Sequence, residues 1–356
     1  MVFGLSIMTK HTDNEKVTPV SHRKDEHIRI NLEKDVRSQL TNGLEKYHLI
    51  HCALPEINLE DVHLSLSVFG RALSMPLLIS SMTGGAMGSS FINQHLAEAA
   101  QQLKIAMGVG SQRAAIEDIH QEVTFKVRKY APNILLLANL GAVQLNYGYD
   151  ISHCLRAVDM IEADGLILHL NALQEAVQPE GNTRFAGLLH KIEQVCRQLP
   201  VPVVMKEVGW GITENDARRL AAAGVAAIDV AGAGGTSWSQ VEMYRALNEQ
   251  QARLAASFIN WGIPTAEAIL NVRRAAPDLT VFASGGLRNG VDVVKCIALG
   301  ATLGGMAAPF LKAASVSTEE VISLGEELYR QIQVCMFATG TAELSQLADK
   351  VSFITP

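Results

Sequence analysis

The sequence predicts an α/β protein built as a closed (β/α)8 barrel, with an N-terminal extension before it and a lid-like insertion after its sixth strand. Three observations predict this: eight short apolar, β-branched runs in succession, helix-like stretches between them, and polar or glycine-rich residues closing every run. The 356 residues are 48% hydrophobic and 19% charged, with 28 Gly against 11 Pro; this globular composition sets aside disorder, collagen-like repeats and coiled coil for the bulk of the chain.

Residues 1–20 are polar and lack periodicity, so they read as a mobile arm; residues 21–356 then form a single domain with a barrel core at about 76–340. From Ser21 to Ser74 a mixed segment carries many of the histidines. The eight runs follow: Leu77 to Ser80, Ile105 to Met107, Ile134 to Asn139, Leu166 to His169, Val203 to Glu207, Ala227 to Val230, Val281 to Ser284 and Thr302 to Met306. Each is continuously apolar where a half-exposed strand would alternate, which identifies buried parallel strands. Between them, Phe91 to Leu103 sets Leu96, Ala99, Ala100 and Leu103 at helical spacing, and Thr213 caps a helix with Glu214 and Asp216 in its first turn. Pro264-Thr265-Ala266-Glu267 and Asn289-Gly290-Val291-Asp292 open two more, and Val321 to Met336 offers a helical face for packing between subunits. An open doubly wound sheet would place its nucleotide-binding glycines after the first strand; here the dense glycine signals follow the first, sixth, seventh and eighth runs. The unit from Val230 to Pro264 is longer than the others and holds Gly232, Gly234, Gly235, Trp238 and Trp261, the expected lid.

A formal charge of −6 without any Lys/Arg-rich run excludes nucleic acid as a partner. No stretch approaches the roughly 20 apolar residues of a membrane span, and the opening segment has neither the basic start nor the apolar length of a secretory signal. The five cysteines (Cys52, Cys154, Cys196, Cys296, Cys335) are scattered without a Cys-x-x-Cys pair, so they read as reduced packing residues in a cytoplasmic protein.

In such barrels chemistry sits at the carboxyl ends of the strands. Those ends carry Ser80-Ser81-Met82-Thr83, Ser111-Gln112-Arg113, Asn139, His169 through Glu175, Lys206-Glu207, Gly232 through Thr236, Ser284 through Arg288, and Met306-Ala307-Ala308-Pro309. Singly, Lys206 reads as a solvated strand end, His169 as a core histidine and Asn139 as a backbone cap; eight such ends around one rim read as a shared site. Gly285-Gly286 with Ala307-Ala308 leave backbone N–H groups open to an anion, the phosphate cup of barrel enzymes, and Lys206 with Asn139 deeper in the mouth suggests a phosphorylated planar cofactor. Arg23-Lys24 and Arg113 are cations for a second anion, which the carboxylate of Glu175 can join through a divalent cation such as Mg²⁺. Taken alone, Arg23-Lys24 reads as a solvated surface pair.

Arg23-Lys24-Asp25-Glu26-His27, Ser81-Met82-Thr83-Gly84-Gly85, Gly110-Ser111-Gln112-Arg113, His169-Leu170-Asn171-Ala172-Leu173-Gln174-Glu175, Lys206-Glu207-Val208-Gly209 and Ser284-Gly285-Gly286-Leu287-Arg288 resemble the type 2 isopentenyl-diphosphate Δ-isomerases. These are FMN-dependent TIM-barrel enzymes, and the resemblance runs in order and spacing over about residues 21–345. It implies conversion of isopentenyl diphosphate to dimethylallyl diphosphate with reduced FMN as acid/base, no net redox change, NADPH as reductant, Mg²⁺, and a homotetramer or homooctamer. It also implies roles. Ser81, Met82, Thr83, Ser111 and Asn139 would hold the flavin, and Lys206 its N1/O2 edge. Thr236, Gly285, Gly286, Leu287, Arg288, Ala307 and Ala308 would bind the ribityl phosphate. Arg23, Lys24, His27, Ser111, Gln112, Arg113, Asn171 and Gln174 would bind the substrate, Gln174 and His169 would be catalytic, and Glu175 would ligate Mg²⁺.

Elementary chemistry bears on these roles. A lysine at the N1 edge stabilises the anion of reduced flavin. The alkene is a weak base, Gln174 is an amide rather than an acid, and an imidazolium at His169 would oppose a cationic intermediate, which points to FMN N5 as the proton carrier. A competing class, the α-hydroxyacid oxidases, shares the barrel but carries a His–Gly–Gly–Arg-like run after the sixth strand; here that place reads Ala231-Gly232-Ala233-Gly234-Gly235-Thr236-Ser237. A third class, a non-enzymatic barrel that binds a phosphorylated ligand as a sensor or scaffold, stays open, and polar residues at all eight strand ends weigh against it.

Overall fold

The computed structural model describes residues 19–82 and 90–354. Most of the expected arm, and Thr83 to Gly85, lie outside the described residues. Helix α1 (Pro19–Glu33) takes in the last two residues assigned to the arm. Strands β1 (Tyr47–Leu49), β2 (Leu66–Val68) and β3 (Arg71–Leu73) precede the barrel.

The eight apolar runs become eight parallel strands, within a residue or two of their expected limits. They are β4 (Leu77–Ile79), β5 (Ala106–Gly108), β6 (Leu136–Gly141), β7 (Gly165–His169), β8 (Val203–Lys206), β9 (Ala227–Asp229), β10 (Thr280–Ser284) and β11 (Leu303–Met306). They form a closed barrel, β11 returning to β4 through Met306↔Ile79. Around it lie α2 (Ser90–Leu103), α3 (Arg113–Glu117), α4 (Ile151–Ile161), α5 (Ala172–Val177), α6 (Leu188–Gln198) and α7 (Glu214–Ala222). The circuit closes with α8 (Trp238–Arg245), α9 (Glu249–Ala256), α10 (Thr265–Ala275), α11 (Gly290–Ala298), α12 (Ala308–Ala314) and α13 (Thr318–Ala338). The expected caps are present: Thr213 accepts from the Asp216 N–H at 3.0 Å and Asn289 from that of Asp292 at 2.9 Å. The insertion after β9 is built from α8 and α9.

Two apolar layers hold the barrel. Leu78, Leu137, Ile167, Val204, Phe282 and Leu303 fill its interior, and Val68 and Leu73 of the β2–β3 hairpin join them as a plug at the end away from the strand C-termini. The hairpin turns at Phe69 (φ 49°) and Gly70 (φ 78°), the positive-φ pair a two-residue turn needs, and Phe69 sets its ring against Phe282. The outer layer packs strands on helices. There Val321, Leu328, Ile332 and Met336 of α13 are buried within this chain, against α2 and α11, instead of being free for a subunit contact. A final strand β12 (Val351–Phe353) pairs antiparallel with β1 and ties the chain end to the N-terminal extension. Among the described residues, no helix is long and apolar enough to cross a membrane.

Asp164 clamps the far end of the barrel. Its carboxylate accepts from Arg71 (2.6 and 2.9 Å), from Arg128 (2.9 Å) and from the Leu136 N–H (2.9 Å). Asp164→Ala leaves two partly buried guanidinium groups without their carboxylate and lowers stability by about 3 kcal/mol, read as a lower urea midpoint at unchanged slope.

Candidate active site

Parallel closure brings all eight strand C-termini to one rim, where a cavity of about 1030 Å³ opens. Register sets what stands side by side: Gly141 opposes His169, His169 opposes Lys206, and Lys206 opposes Asp229. Neighbours in register project to the same side, so these polar residues form one belt. Lys206 donates to Asp229 Oδ2 at 2.7 Å and to Ser284 Oγ at 3.0 Å, and Ser284 Oγ–H donates to Asp229 Oδ1 at 2.6 Å. Lys206 is buried in this triad at the base of the cavity rather than solvated. Asp229 had a signal in the sequence, a charge inside the apolar run Ala227-Ile228-Asp229-Val230. The neighbouring Glu207 accepts the N–H groups of Val208, Gly209 and Trp210, and burial raises its carboxyl to about 7 against that support.

The phosphate cup is made of interlocked backbone. Gly285 (φ 112°) and Gly286 (φ 76°) lie against the Gly232 and Gly234 carbonyls so closely that a Cβ on either would run into them. Thr236, Leu287, Arg288, Ala307 and Ala308 line the same end of the cavity. The N-terminal extension closes over it: Ser38 N–H donates to Gly235 O at 2.8 Å, and Asn42 Nδ2 donates to Gly286 O at 2.8 Å. Nothing in residues 36–42 announced this, because the second of these contacts joins residues 244 apart in the chain and the first is nearly as distant. At the rim of β4 the hydroxyls of Ser80 and Ser81 are buried with no partner among the described residues, and Met82 lines the cavity beside them. Orphaned hydroxyls, a backbone cup and a buried ammonium fit a flavin with its phosphate in the cup.

A second polar centre lies across the mouth. Helix α1 carries Arg23, Lys24 and His27 onto the rim. Lys24 donates to the Ser111 carbonyl at 2.5 Å; burial first, then Arg23 and Arg113, push its amine down to about 7. Burial also lowers Arg23, partly opposed by Glu175. So Arg23-Lys24 is folded under the site and is not a surface pair. Arg113 is held by Glu117 (2.6 Å) and Asn182 (3.0 Å). Glu175 is buried; its Oε1 accepts from Asn171 at 2.9 Å, and its Oε2 from Gln178 and from the Asn182 N–H at 2.5 Å. A carboxylate has about four lone-pair positions, so one on Oε1 stays open. Among the described residues no group of three or more His, Cys, Asp or Glu could hold a metal. The open position on Oε1 is the observation that bears on Mg²⁺: one carboxylate oxygen is a donor this ion accepts when phosphates and water complete its shell.

Between the two centres stand His169 and Gln174. His169 Nδ1 lies 2.8 Å from Asn139 Oδ1, and Asn139 Nδ2 donates to Val109 O. Burial, with Lys206 and Lys24 adding to it, lowers this imidazole to about 4, so it is neutral at pH 7. Gln174 donates to Glu242 Oε1 at 3.0 Å, which also lies 3.2 Å from His27 Nε2, while Arg245 donates to Glu242 Oε2 at 2.6 Å. Burial alone would raise Glu242; His27, Arg245 and Gln174 outweigh it and hold the carboxyl near 2. Trp238 meets His27 edge-on at 5.0 Å. Sequence reading flagged the insertion but missed Glu242 and Arg245, which look like ordinary helix-surface charges at i, i+3.

One expected role changes. Gln112 does not face the cavity: its fully buried amide donates to Ala157 O (2.8 Å) and accepts from Asn139 N–H (2.9 Å), pinning β6 to α4. Asn171 lines the cavity; its Nδ2 donates to Glu175 and Gln174, while its Oδ1 is buried with no partner among the described residues.

The barrel and its cup define the class: the family profile described as FMN-dependent dehydrogenase matches residues 33–135 and 169–353. Solved structures agree on the fold, a mandelate oxidase variant at TM-score 0.64 and 18% identity (95% of this chain, 100% of that chain) and a lactate oxidase of Pediococcus acidilactici at 0.63 and 16% (93% and 87%). More particularly, the chain belongs to the isopentenyl-diphosphate delta-isomerase family, in its type 2, FMN-dependent form. The proteins of that name from Nostoc sp. and Synechocystis sp. are 56% and 52% identical to it, over 91% and 92% of this chain and 93% and 94% of theirs. That of Stutzerimonas stutzeri is 54% identical over 91% of this chain and 94% of its own.

The depressed imidazole makes a checkable statement. His169 titrates in NMR with a midpoint near pH 4 and shows no change between pH 6 and 8. Because the unfolded ring binds a proton near pH 6.5 and the folded one does not, this residue's contribution to stability is present above that pH and lost as pH falls toward 4.

Proposed function

We propose that this protein converts isopentenyl diphosphate to dimethylallyl diphosphate, with reduced FMN over Lys206, NADPH as the reductant, and the substrate diphosphate held by Arg23, Lys24, Arg113 and a Mg²⁺ on Glu175. One observation carries the reading: a single cavity joins a glycine cup and a buried ammonium to a separate cluster of three cations beside the Glu175 carboxylate. An oxidase of 2-hydroxy acids needs a base after the sixth strand. At that place Ala231 (φ 35°) and Gly232, whose added Cβ would meet Thr265, leave no room for an imidazole.

Reduced FMN, when bound, supplies acid/base chemistry at N5 and an electron-rich face beside the alkene. Lys206, fixed by Asp229 and Ser284, would hold the N1/O2 edge, and Ser81, Met82 and Asn139 the ring. In the substrate, a proton arrives at the terminal alkene carbon and another leaves the allylic carbon, so the double bond moves with no electrons gained or lost. Neither His169, neutral at pH 7, nor Gln174, an amide, is an acid for that step. Both act by placement: Gln174, oriented by Glu242, sets the substrate against the reacting face, and His169 orders the wall between the two anion sites.

Anaerobic assay with isopentenyl diphosphate, FMN, Mg²⁺ and NADPH, each omitted in turn, tests the reading. Omitting FMN, Mg²⁺ or the reductant abolishes turnover, and NADPH is not consumed in proportion to product. A fully reduced, Mg²⁺-supplied holoenzyme that leaves the substrate unchanged overturns it.

Lys24 gives the pH dependence. Its ammonium is present below about 7 and lost above, so KM for the diphosphate rises as pH goes from 6.5 to 8.5. Lys24→Met raises KM at pH 6.5 by about tenfold and flattens the profile, the difference from the parent separating the lysine from the substrate's own ionisation.

A further inference from the structure

We infer that Asn182, which does not line the cavity, is the residue that sets the distance and orientation between Arg113 and Glu175, and so the bite of the site on a Mg²⁺-bound diphosphate. The inference rests on the functional reading above and adds a positioning residue to it. Three contacts converge on Asn182. Its Oδ1 accepts from Arg113 Nη1 at 3.0 Å and from Gln144 Nε2 at 3.0 Å, and its backbone N–H donates to Glu175 Oε2 at 2.5 Å. Arg113 and Glu175 both face the cavity while Asn182 stands behind them. The cation and the carboxylate therefore share one support.

The loop bearing Asn182 is built for this. Gly181 packs so tightly on the Glu175 carbonyl that an added Cβ would overlap it, so only glycine lets the chain fold back over α5. Beyond it, Asn146 Nδ2 donates to Arg184 O at 2.7 Å and to Ala186 O at 3.1 Å, fastening the loop to the turn after β6. Of the five N–H groups of Arg113, one goes to Glu117 and one to Asn182, which leaves three for an anion in a plane those two anchors fix. Without the Asn182 oxygen the guanidinium turns about its Glu117 contact, and Gln144 loses its acceptor. Glu175 keeps the backbone N–H, so the loss falls on the relation between the groups rather than on either charge.

The test uses FMN-loaded protein and inorganic diphosphate with Mg²⁺, followed by calorimetry, beside steady-state kinetics with isopentenyl diphosphate. Asn182→Ala weakens binding of Mg²⁺-diphosphate by about tenfold and raises KM to match, with kcat within about twofold and the flavin absorbance unchanged. Asn182→Asp keeps both acceptor contacts and adds a negative charge beside Glu175, so its half-saturating Mg²⁺ concentration is at or below the parent's. A role limited to loop stability would raise it in both variants. In an Arg113→Lys background, where the Nη1 contact no longer exists, Asn182→Ala costs less than about twofold. Unchanged diphosphate binding in Asn182→Ala, a full tenfold loss in the Arg113→Lys background, or a raised Mg²⁺ requirement in Asn182→Asp overturns the inference. If Asn182→Ala does not fold, the Asp variant decides alone. A parent that binds Mg²⁺-diphosphate in this pattern yet does not isomerise the five-carbon ester counts against the functional reading and leaves the role of Asn182 standing.

Discussion

Lys206 and Asp229 face each other across the β8–β9 ladder, and their side chains meet at 2.7 Å beneath the cavity. Burying two opposite charges costs several kcal/mol per ion and gives back little net stability unless the remaining valences are satisfied. Here the hydroxyl of Ser284 completes the pair, bonded to both partners. The arrangement makes sense as a fixed cation at the base of a site, available at the mouth of a barrel whose interior below it is wholly apolar. Shifting any of three strands by one residue would turn a member of the triad to the outer face, so barrel register and the triad are one constraint.

The rest of the mouth holds two separate centres, a backbone cup and a cluster of charged side chains. The cup is built on backbone, since five glycines of two loops (Gly232, Gly234, Gly235, Gly285 and Gly286) are packed too closely for a Cβ. The second centre uses full charges, three cations and a carboxylate, drawn from separate parts of the chain. Three cations gathered at one rim repel one another, and burial together with that repulsion lowers the Lys24 amine to about 7. A diphosphate relieves the repulsion, so the arrangement of charge itself favours binding of an anion there.

The barrel strands were legible because a parallel strand buried on both faces must be apolar throughout, and eight such runs in succession fit a closed barrel better than any open sheet. Helix starts at Thr213 and Asn289 were legible because capping is local chemistry. The glycines of the cup were legible for the same reason: a missing side chain is visible without knowing its neighbours. The direction of a side chain in a tight turn was not. Gln112 sits between Ser111 and Arg113, and only the geometry of the turn into α3 sends it back to Ala157 while its neighbours reach the rim. Nor was the reach of α1, since Arg23-Lys24 in isolation has the composition of a solvated pair.

By itself the sequence determined the number and order of the strands, the closed barrel, the rim where chemistry gathers, and a family whose motifs it carries from Arg23 to Arg288. These follow from periodicity, capping and residue type, all properties of neighbours along the chain. Only the tertiary structure decided that Asp229 holds Lys206, that Asn42 closes the cup, that Glu242 orients Gln174, and that Asn182 joins Arg113 to Glu175. Those pairings span from seven to nearly two hundred and fifty residues of chain. They depend on barrel register and on loops folding back over helices, and neither leaves a local pattern to read.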